Sequence, residues 1–426
     1  MKVAIKSSKF LTNTSWMVGE RIFEMCISLI IGMLTARYLG PSNYGIINYC
    51  ISFVSFFTSI CTLGLEGIIV KELVDNPNQE GTILGTGIFM RCVSSILSII
   101  CMVILLTILN PHDKVVLAVG FLESIALLFR SFDLIDFWYQ SKLESKYSAI
   151  IKSSAYVIVS LYKVLILVTA KDVRWFAFST SLDIILIAMM FVISYYKKGG
   201  MKLKISIDLG RKLLSQSYHF ILSGLLVVIY AQMDKVMIGQ ILDEKQVGLY
   251  SVAITICGLW SFVPNALINS ARPIIMKLKS ENEEMYIKRL KQLYAGIGWL
   301  GIVFSIFVVL SSKWIVLILY GKDYLDAVNT LNIAVWYTSF SLLGVARGIW
   351  IISEKKNKYE KKILFWGVVV NLLLNAILIP TCGIDGAAIA TLFTQITTCL
   401  LAPLIYKETR IHTKYVLEAL CFKGIK

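Results

Sequence analysis

The residues of this chain that can do chemistry are charges set inside long apolar stretches. Lys152, Tyr156 and Lys163 are spaced by four and by seven, so they share one stripe of a helix. At a helical rise of about 1.5 Å per residue, Lys163 stands about 16 Å from Lys152. Arg21 and Glu24 are three apart and can pair on one face, with Glu20 beside them. Arg130 can reach Asp133 in the same way, and Glu123 lies on nearly the same face. Asp136 falls close enough to the end of its stretch to meet headgroups. Arg91, Arg272 and Arg347 stand singly. Asp234 and Lys235 are adjacent and point about 100° apart, so they do not neutralise each other. Each such charge costs roughly 2.5–3.5 kcal/mol in an apolar slab and needs a partner or a wet cavity.

The chemistry these types allow is recognition of an anion. Arg21, Arg91, Arg130, Lys152, Lys163, Lys235, Arg272 and Arg347 are cations, Arg suited to bidentate phosphate contacts and Lys to a point charge. Glu24, Asp183 and Asp234 suit a relay for a coupling ion, H+ or Na+. Structural readings stand beside these. Arg21–Glu24 can be a satisfied pair, and Asp183 can neutralise Lys163. The Glu123–Arg130–Asp133 group can be a packing network, and Arg272 can snorkel to an interface. Nothing points to an enzyme. Nine cysteines form no CxxC, three histidines lie far apart, and no metal spacing or cofactor motif appears. No loop holds a DxD motif, and the longest outer loop, 313–325, is short.

The elements that must position these charges are membrane spans. The chain has 426 residues, 57% of them hydrophobic, and a mean hydropathy of +0.73. A span takes about 20 apolar residues. Twelve fit, at 13–37, 44–70, 83–108, 115–138, 147–170, 174–196, 216–240, 247–275, 292–312, 326–353, 359–379 and 384–406. Trp314 to Tyr320 either extends the ninth or forms a short surface helix. The first span has no small-x-small cleavage site before it and reads as retained. With the N-terminus inside, 27 Lys and Arg fall in cytoplasmic segments and seven in outer loops, which predicts cytoplasmic N- and C-termini. The same asymmetry explains the net charge of +15 without nucleic acid.

The expected fold is an all-α integral membrane protein of two six-helix bundles related by pseudo-two-fold symmetry. The bundles are 1–196 and 216–406, with a basic linker at 197–215 and a basic tail at 407–426. The linker is either a plain connection or an amphipathic segment on the inner leaflet. Internal similarity supports the duplication. Trp138 and Trp350 end the fourth and tenth spans, and Tyr147 and Tyr359 keep the same offset. Tyr44-Gly45 and Val247-Gly248 open the second and eighth. Gly64, Gly85, Gly87, Gly224 and Gly386 allow close helix packing. Pro264 and Pro273 are expected to kink the eighth span, and Asn371 and Asn375, four apart, to hydrogen-bond to neighbouring helices.

Four stretches carry a family resemblance. TARYLGPSNYGIINYCISFVSFFTSICTLGLEGIIVKEL (35–73), AQMDKVMIGQILDEKQVGLYSVA (231–253), LILYGKDYLDAVNTLNI (317–333) and NLLLNAILIPTCGIDGAAIATLFTQ (371–395) occur in order along nearly the whole chain. They resemble polysaccharide flippases of the Wzx type, in the multidrug/oligosaccharidyl-lipid/polysaccharide exporter superfamily. The resemblance implies alternating access and a cationic cavity. The implied substrate is an undecaprenyl-diphosphate-linked oligosaccharide, moved across the cytoplasmic membrane. Membrane lipids and the polysaccharide polymerase machinery are the implied partners. It carries over Asp234 and Lys235 as family positions, and not the other charges.

Overall fold

The computed structural model describes residues 2–424, with side chains from Ser15 onward except Ser223. Lys2, Lys6, Lys9 and Lys426, counted above for orientation, lie outside the described side chains. The chain forms two compact units, Met1–Val228 and Ile229–Lys426.

Unit 1 begins with α1 (Lys2–Cys61), two spans joined at Gly40, whose φ of 69° is left-handed. Glycine takes that conformation without strain, and Pro41 is pre-set to start the next helix. After a break, α2 (Glu66–Asp75) completes the second span. α3 (Glu80–Leu109) follows. α4 (Lys114–Phe129) is capped by Asp113, whose Oδ1 accepts from the amides of Val115 and Val116 at 2.8 and 2.9 Å. A 3-10 turn over Arg130–Asp133 then leads into α5 (Leu134–Ser141). α6 (Ser145–Val168) and α7 (Val173–Lys197) finish the bundle.

α8 (Ile207–Ile241) runs from unit 1 into unit 2. α9 (Glu244–Leu259) and α10 (Phe262–Glu281) form one span bent by 43°. The bend lies where Pro264 excludes the carbonyl four residues back, that of Trp260, whereas Pro273 sits inside the continuous α10. α11 (Glu283–Leu319) extends through Trp314, so no separate surface helix forms there. α12 (Ala327–Ser353) precedes α13 (Asn357–Ile396), which is two spans joined at Gly383, φ 61°. A π-helical turn (Thr397–Leu401), α14 (Ala402–Ile405) and α15 (Arg410–Leu420) end the unit.

Among the described residues, nine stretches are long and apolar enough to cross a membrane, two of them 61 and 49 residues long. A bilayer takes about 20 residues per crossing. Each long stretch is therefore two spans folded at its glycine, and the bent pair α9–α10 supplies one more. That makes twelve.

The duplication shows in backbone detail. α5 ends at Ser141 and α12 at Ser353; α6 starts at Ser145 and α13 at Asn357. Between them Leu143 and Lys355 both take a φ of 56°. Every one of these pairs is 212 positions apart. Trp138 and Trp350 are both buried, with Lys142 and Lys356 over their rings at 3.9 and 4.5 Å.

The basic linker is packed onto unit 1, which runs to Val228. The Lys204 amide donates to the Gly81 carbonyl at 3.1 Å. The second half of the linker is already helix, continuous with the seventh span. The C-terminal tail is likewise structured: α15 lies on α11 through Lys291–Glu418 at 2.5 Å and a bond from Trp299 Nε1 to the Leu420 carbonyl at 3.2 Å.

Candidate functional site

In unit 1, α1, α6 and α7 bring Glu20, Glu24, Lys152, Ser153, Tyr156, Asp183 and Ile187 around a cavity of about 50 Å³. That volume holds a few waters or an ion, not a sugar. Lys152 does not project into it as a free cation. Its Nζ lies 2.6 Å from Asp136 Oδ2, and Asp136 also accepts from Gln140 Nε2 at 3.3 Å and from Ser148 Oγ. Asp136 is therefore buried in protein rather than at headgroups. The 3-10 turn ahead of α5 changes the helical phase and turns it toward α6.

Lys163 makes no ion pair within 4.0 Å among the described residues, so the expected contact with Asp183 is not formed. The charged groups it faces are Asp183 and Glu123. Both carboxylate oxygens of Glu123 and Oδ1 of Asp183 are buried without hydrogen-bond partners. Arg130 and Asp133 also miss ion-pair distance, and Arg130 Nε is buried without a partner. Arg21 and Glu24 do pair, at 3.4 Å, with both side chains exposed.

Arg91 is 2% exposed and has a structural duty. Its Nε donates to the Thr62 carbonyl at 3.0 Å, while Ser94 Oγ donates to the Ile60 carbonyl at 3.3 Å. These carbonyls belong to the broken end of α1, where Leu63 and Gly64 turn left-handed. Both carbonyls also accept from backbone amides of the turn, Ile60 from Leu63 at 3.1 Å and Thr62 from Leu65 at 3.3 Å, and α3 adds a second donor to each. Nη2 of Arg91 remains without a partner.

Unit 2 is arranged differently. Asp234, 5% exposed, accepts four hydrogen bonds. Asn371 and Asn375 donate to Oδ1 at 3.0 and 2.6 Å; Tyr250 and Thr391 donate to Oδ2 at 2.7 and 2.5 Å. Oδ1 of each asparagine is itself buried without a partner. Lys235 makes no ion pair among the described residues and faces only Asp234. Arg347, 3% exposed, pairs with Glu360 at 3.0 Å and donates to the Thr398 carbonyl in the π turn. It supports an irregular helix end, as Arg91 does in unit 1. Arg272 Nε is buried without a partner.

The sequence reading singled out Asp234 and the two asparagines separately, and missed Tyr250 and Thr391. Tyr250 stood in the Val247–Ser251 repeat and Thr391 in a stretch of small residues, with no charge to mark either. No cluster of three or more His, Cys, Asp or Glu that could hold a metal ion occurs among the described residues.

The family model described as "Polysaccharide biosynthesis protein" matches residues 10–279. This chain belongs to that family. Within the polysaccharide biosynthesis family it is similar to the "Putative O-antigen transporter" of Escherichia coli, 22% identical over 88% of this chain and 90% of that one. It is also similar to the "Probable low-salt glycan biosynthesis flippase" of Haloferax volcanii, 26% identical over 42% of this chain. That match spans 39% of the archaeal protein's length. Among solved structures, the lipid II flippase MurJ in an inward closed conformation superposes with a TM-score of 0.76 at 15% identity. The superposition covers 94% of this chain and 89% of MurJ, and shares the fold.

Proposed function

We propose that the chain is a flippase that moves undecaprenyl-diphosphate-linked oligosaccharide units across the cytoplasmic membrane by alternating access, for O-antigen, capsular or related polysaccharide. The observation that carries this reading is the agreement, over about nine-tenths of both lengths, with a relative named as an O-antigen transporter. The basic end of each unit faces the cytoplasm, with both termini there, and delivered units pass to the polymerase machinery outside. The chain acts as a transporter and not an enzyme.

The unpaired cations of unit 1 serve the diphosphate. Half-buried Lys163 makes no ion pair among the described residues, Arg130 Nε and Arg91 Nη2 are buried without partners, and an anionic head supplies what they lack. The Asp234 cage of unit 2 serves the coupling ion. A carboxylate, two hydroxyls and two amide oxygens are the ligands a hard cation takes. A half-turn of Asn371 and Asn375 exchanges NH2 for Oδ1, so the same cage faces Asp234 with oxygens. This donor set supports Na+ over H+ as that ion.

The test is deletion of the gene in its native host, with undecaprenyl-diphosphate-linked oligosaccharide and surface polysaccharide both measured. The expected result is accumulated lipid-linked units and lost surface polymer, both reversed by the intact gene. Unchanged levels with new sensitivity to cationic drugs would overturn the reading in favour of drug export.

A further inference from the structure

The strap between α7 and α8 is the motif that transport leaves unused. Its backbone is spent inward. The Lys204 amide bonds Gly81, the Ser206 amide donates to Thr86 Oγ1 at 3.0 Å, and the Met201 carbonyl accepts from the Tyr195 hydroxyl at 2.8 Å. Nothing fits beneath it: a Cβ on Gly81 or Gly85 would lie 2.4 Å from the carbonyl oxygen of Lys202 or Lys204. Glu80, held by Trp138 Nε1 at 2.8 Å and Lys142 at 3.0 Å, fastens its start by accepting from the Met201 amide at 3.4 Å.

With the backbone held this way, Leu203 packs against the core and its neighbours face outward. Met201, Lys202, Lys204 and Ile205 are exposed, followed on the first turns of α8 by Ile207 and Arg211. Ile205 and Ile207 are 58% and 72% exposed. Lys202, Lys204 and Arg211 make no ion pair among the described residues, whereas Lys212 is tied to Glu72 at 2.7 Å. The strap follows directly on the span that ends at Lys197 and precedes the next, so it lies at headgroup depth. Apolar side chains between free cations at that depth match an anionic lipid interface, acyl chains against one set and phosphate against the other.

We propose that this strap is a binding surface for anionic phospholipid of the inner leaflet. Lys202, Lys204 and Arg211 hold the headgroup, and Met201, Ile205 and Ile207 pack on its chains. The proposal goes beyond the transport reading and stands without it. The test uses the purified full chain in phosphatidylcholine vesicles carrying spin-labelled phosphatidylglycerol or spin-labelled phosphatidylcholine. The motionally restricted fraction of each gives their relative association. The wild type is expected to favour phosphatidylglycerol roughly fivefold, a preference weakened by 0.5 M NaCl. K202Q/K204Q/R211Q is expected to bring the ratio near one, and K202R/K204R/R211K to keep it. K358Q/K361Q, at the basic end of unit 2, is expected to leave it unchanged. A wild-type ratio of one, an unaltered ratio in the triple glutamine variant, or an equal loss in K358Q/K361Q would overturn the proposal.

Discussion

In unit 1, Lys163, Glu123 and Arg130 lie within a helix bundle and miss the ion pairs their positions allow, whereas in unit 2 Asp234 ends four hydrogen bonds and Arg347 is tied on two sides. The two units share a repeat down to single turns, so the contrast is not one of fold. It lies in how these particular charges are held, since Lys235 and Arg272 Nε of unit 2 also go unpartnered and Lys152 of unit 1 is paired. A saturated carboxylate is held in one geometry and discriminates by size. Unpaired cations keep their attraction for whatever anion comes. The first arrangement suits a small ion that must be told from its neighbours. The second suits a diphosphate presented on a variable oligosaccharide.

The sharpest way to break this contrast is Asp234→Asn. A carboxamide accepts on one oxygen only, so two of four donors lose their acceptor, and the folded state is expected to lose about 2–4 kcal/mol. Transport of lipid-linked oligosaccharide into everted vesicles is expected to vanish. Replacing choline chloride by NaCl is expected to raise the melting temperature of the wild type and not of the variant, as ligand linkage requires. Equal stabilisation of both proteins by NaCl would remove Asp234 from the ion site.

Unit 1 predicts the reverse pairing of effects. Lys163→Gln removes a cation that holds no ion pair, so melting is expected to stay within about 0.5 kcal/mol of wild type or rise. Transport is nonetheless expected to fall at least tenfold, the loss of one charge-assisted contact of about 1.5–3 kcal/mol. Normal transport with normal melting would make Lys163 a bystander.

Arg91 separates the two roles within one unit. Arg91→Gln removes the charge-assisted bond to the Thr62 carbonyl, which keeps the Leu65 amide at 3.3 Å, and is expected to cost about 1–3 kcal/mol, readable as earlier melting. Arg347→Gln in unit 2 is expected to cost a similar amount through Thr398 and Glu360. If Arg91→Gln lost transport while melting normally, its free Nη2 and not its Nε would be the group that matters.

The spans, their number and the duplication were legible in the sequence because hydropathy and basic loops are long-range averages that one residue does not upset. Pro264 likewise announced its bend. The breaks at Leu63–Gly64 and Arg130–Asp133 were not legible, since each depends on a neighbouring helix supplying a bond or taking up a phase change. That is why the bond from Arg91 to the Thr62 carbonyl was not foreseen and Asp136 read as an interfacial charge. The Asp234 cage was half legible. Asparagines four apart on one helix are visible, but which carboxylate they meet is a matter of packing between helices far apart in the chain. The strap's place was hidden for a related reason: its anchor is the absence of a side chain at Gly81 and Gly85, which in sequence resembles ordinary helix-packing glycine.

The smallest expected effect concerns how each unit fastens the segment at its basic end. In unit 1 the Lys204 and Ser206 amides bond a carbonyl and a hydroxyl, which do not titrate near neutrality. In unit 2, α15 buries His412 between Tyr294 and Trp350, both rings 5.4 Å away, with neither ring nitrogen partnered. Burial and the nearby Arg347 charge push this imidazole well below its ordinary range. A histidine whose folded pKa is lowered binds its proton more readily when released. Docking of α15 is therefore at full strength above about pH 6.5, and weakens as pH falls below it. Glu418, held below the usual carboxylate range by Lys291, adds nothing in that window. Hydrogen exchange corrected for intrinsic rates is expected to show faster exchange of α15 at pH 5.5 than at 7.5, with the strap amides unchanged as an internal reference. His412→Leu keeps the packing and removes the proton, so its α15 exchange is expected to be flat with pH. An equal pH response in His412→Leu would place the sensitivity elsewhere on α15 and leave the two fastenings alike.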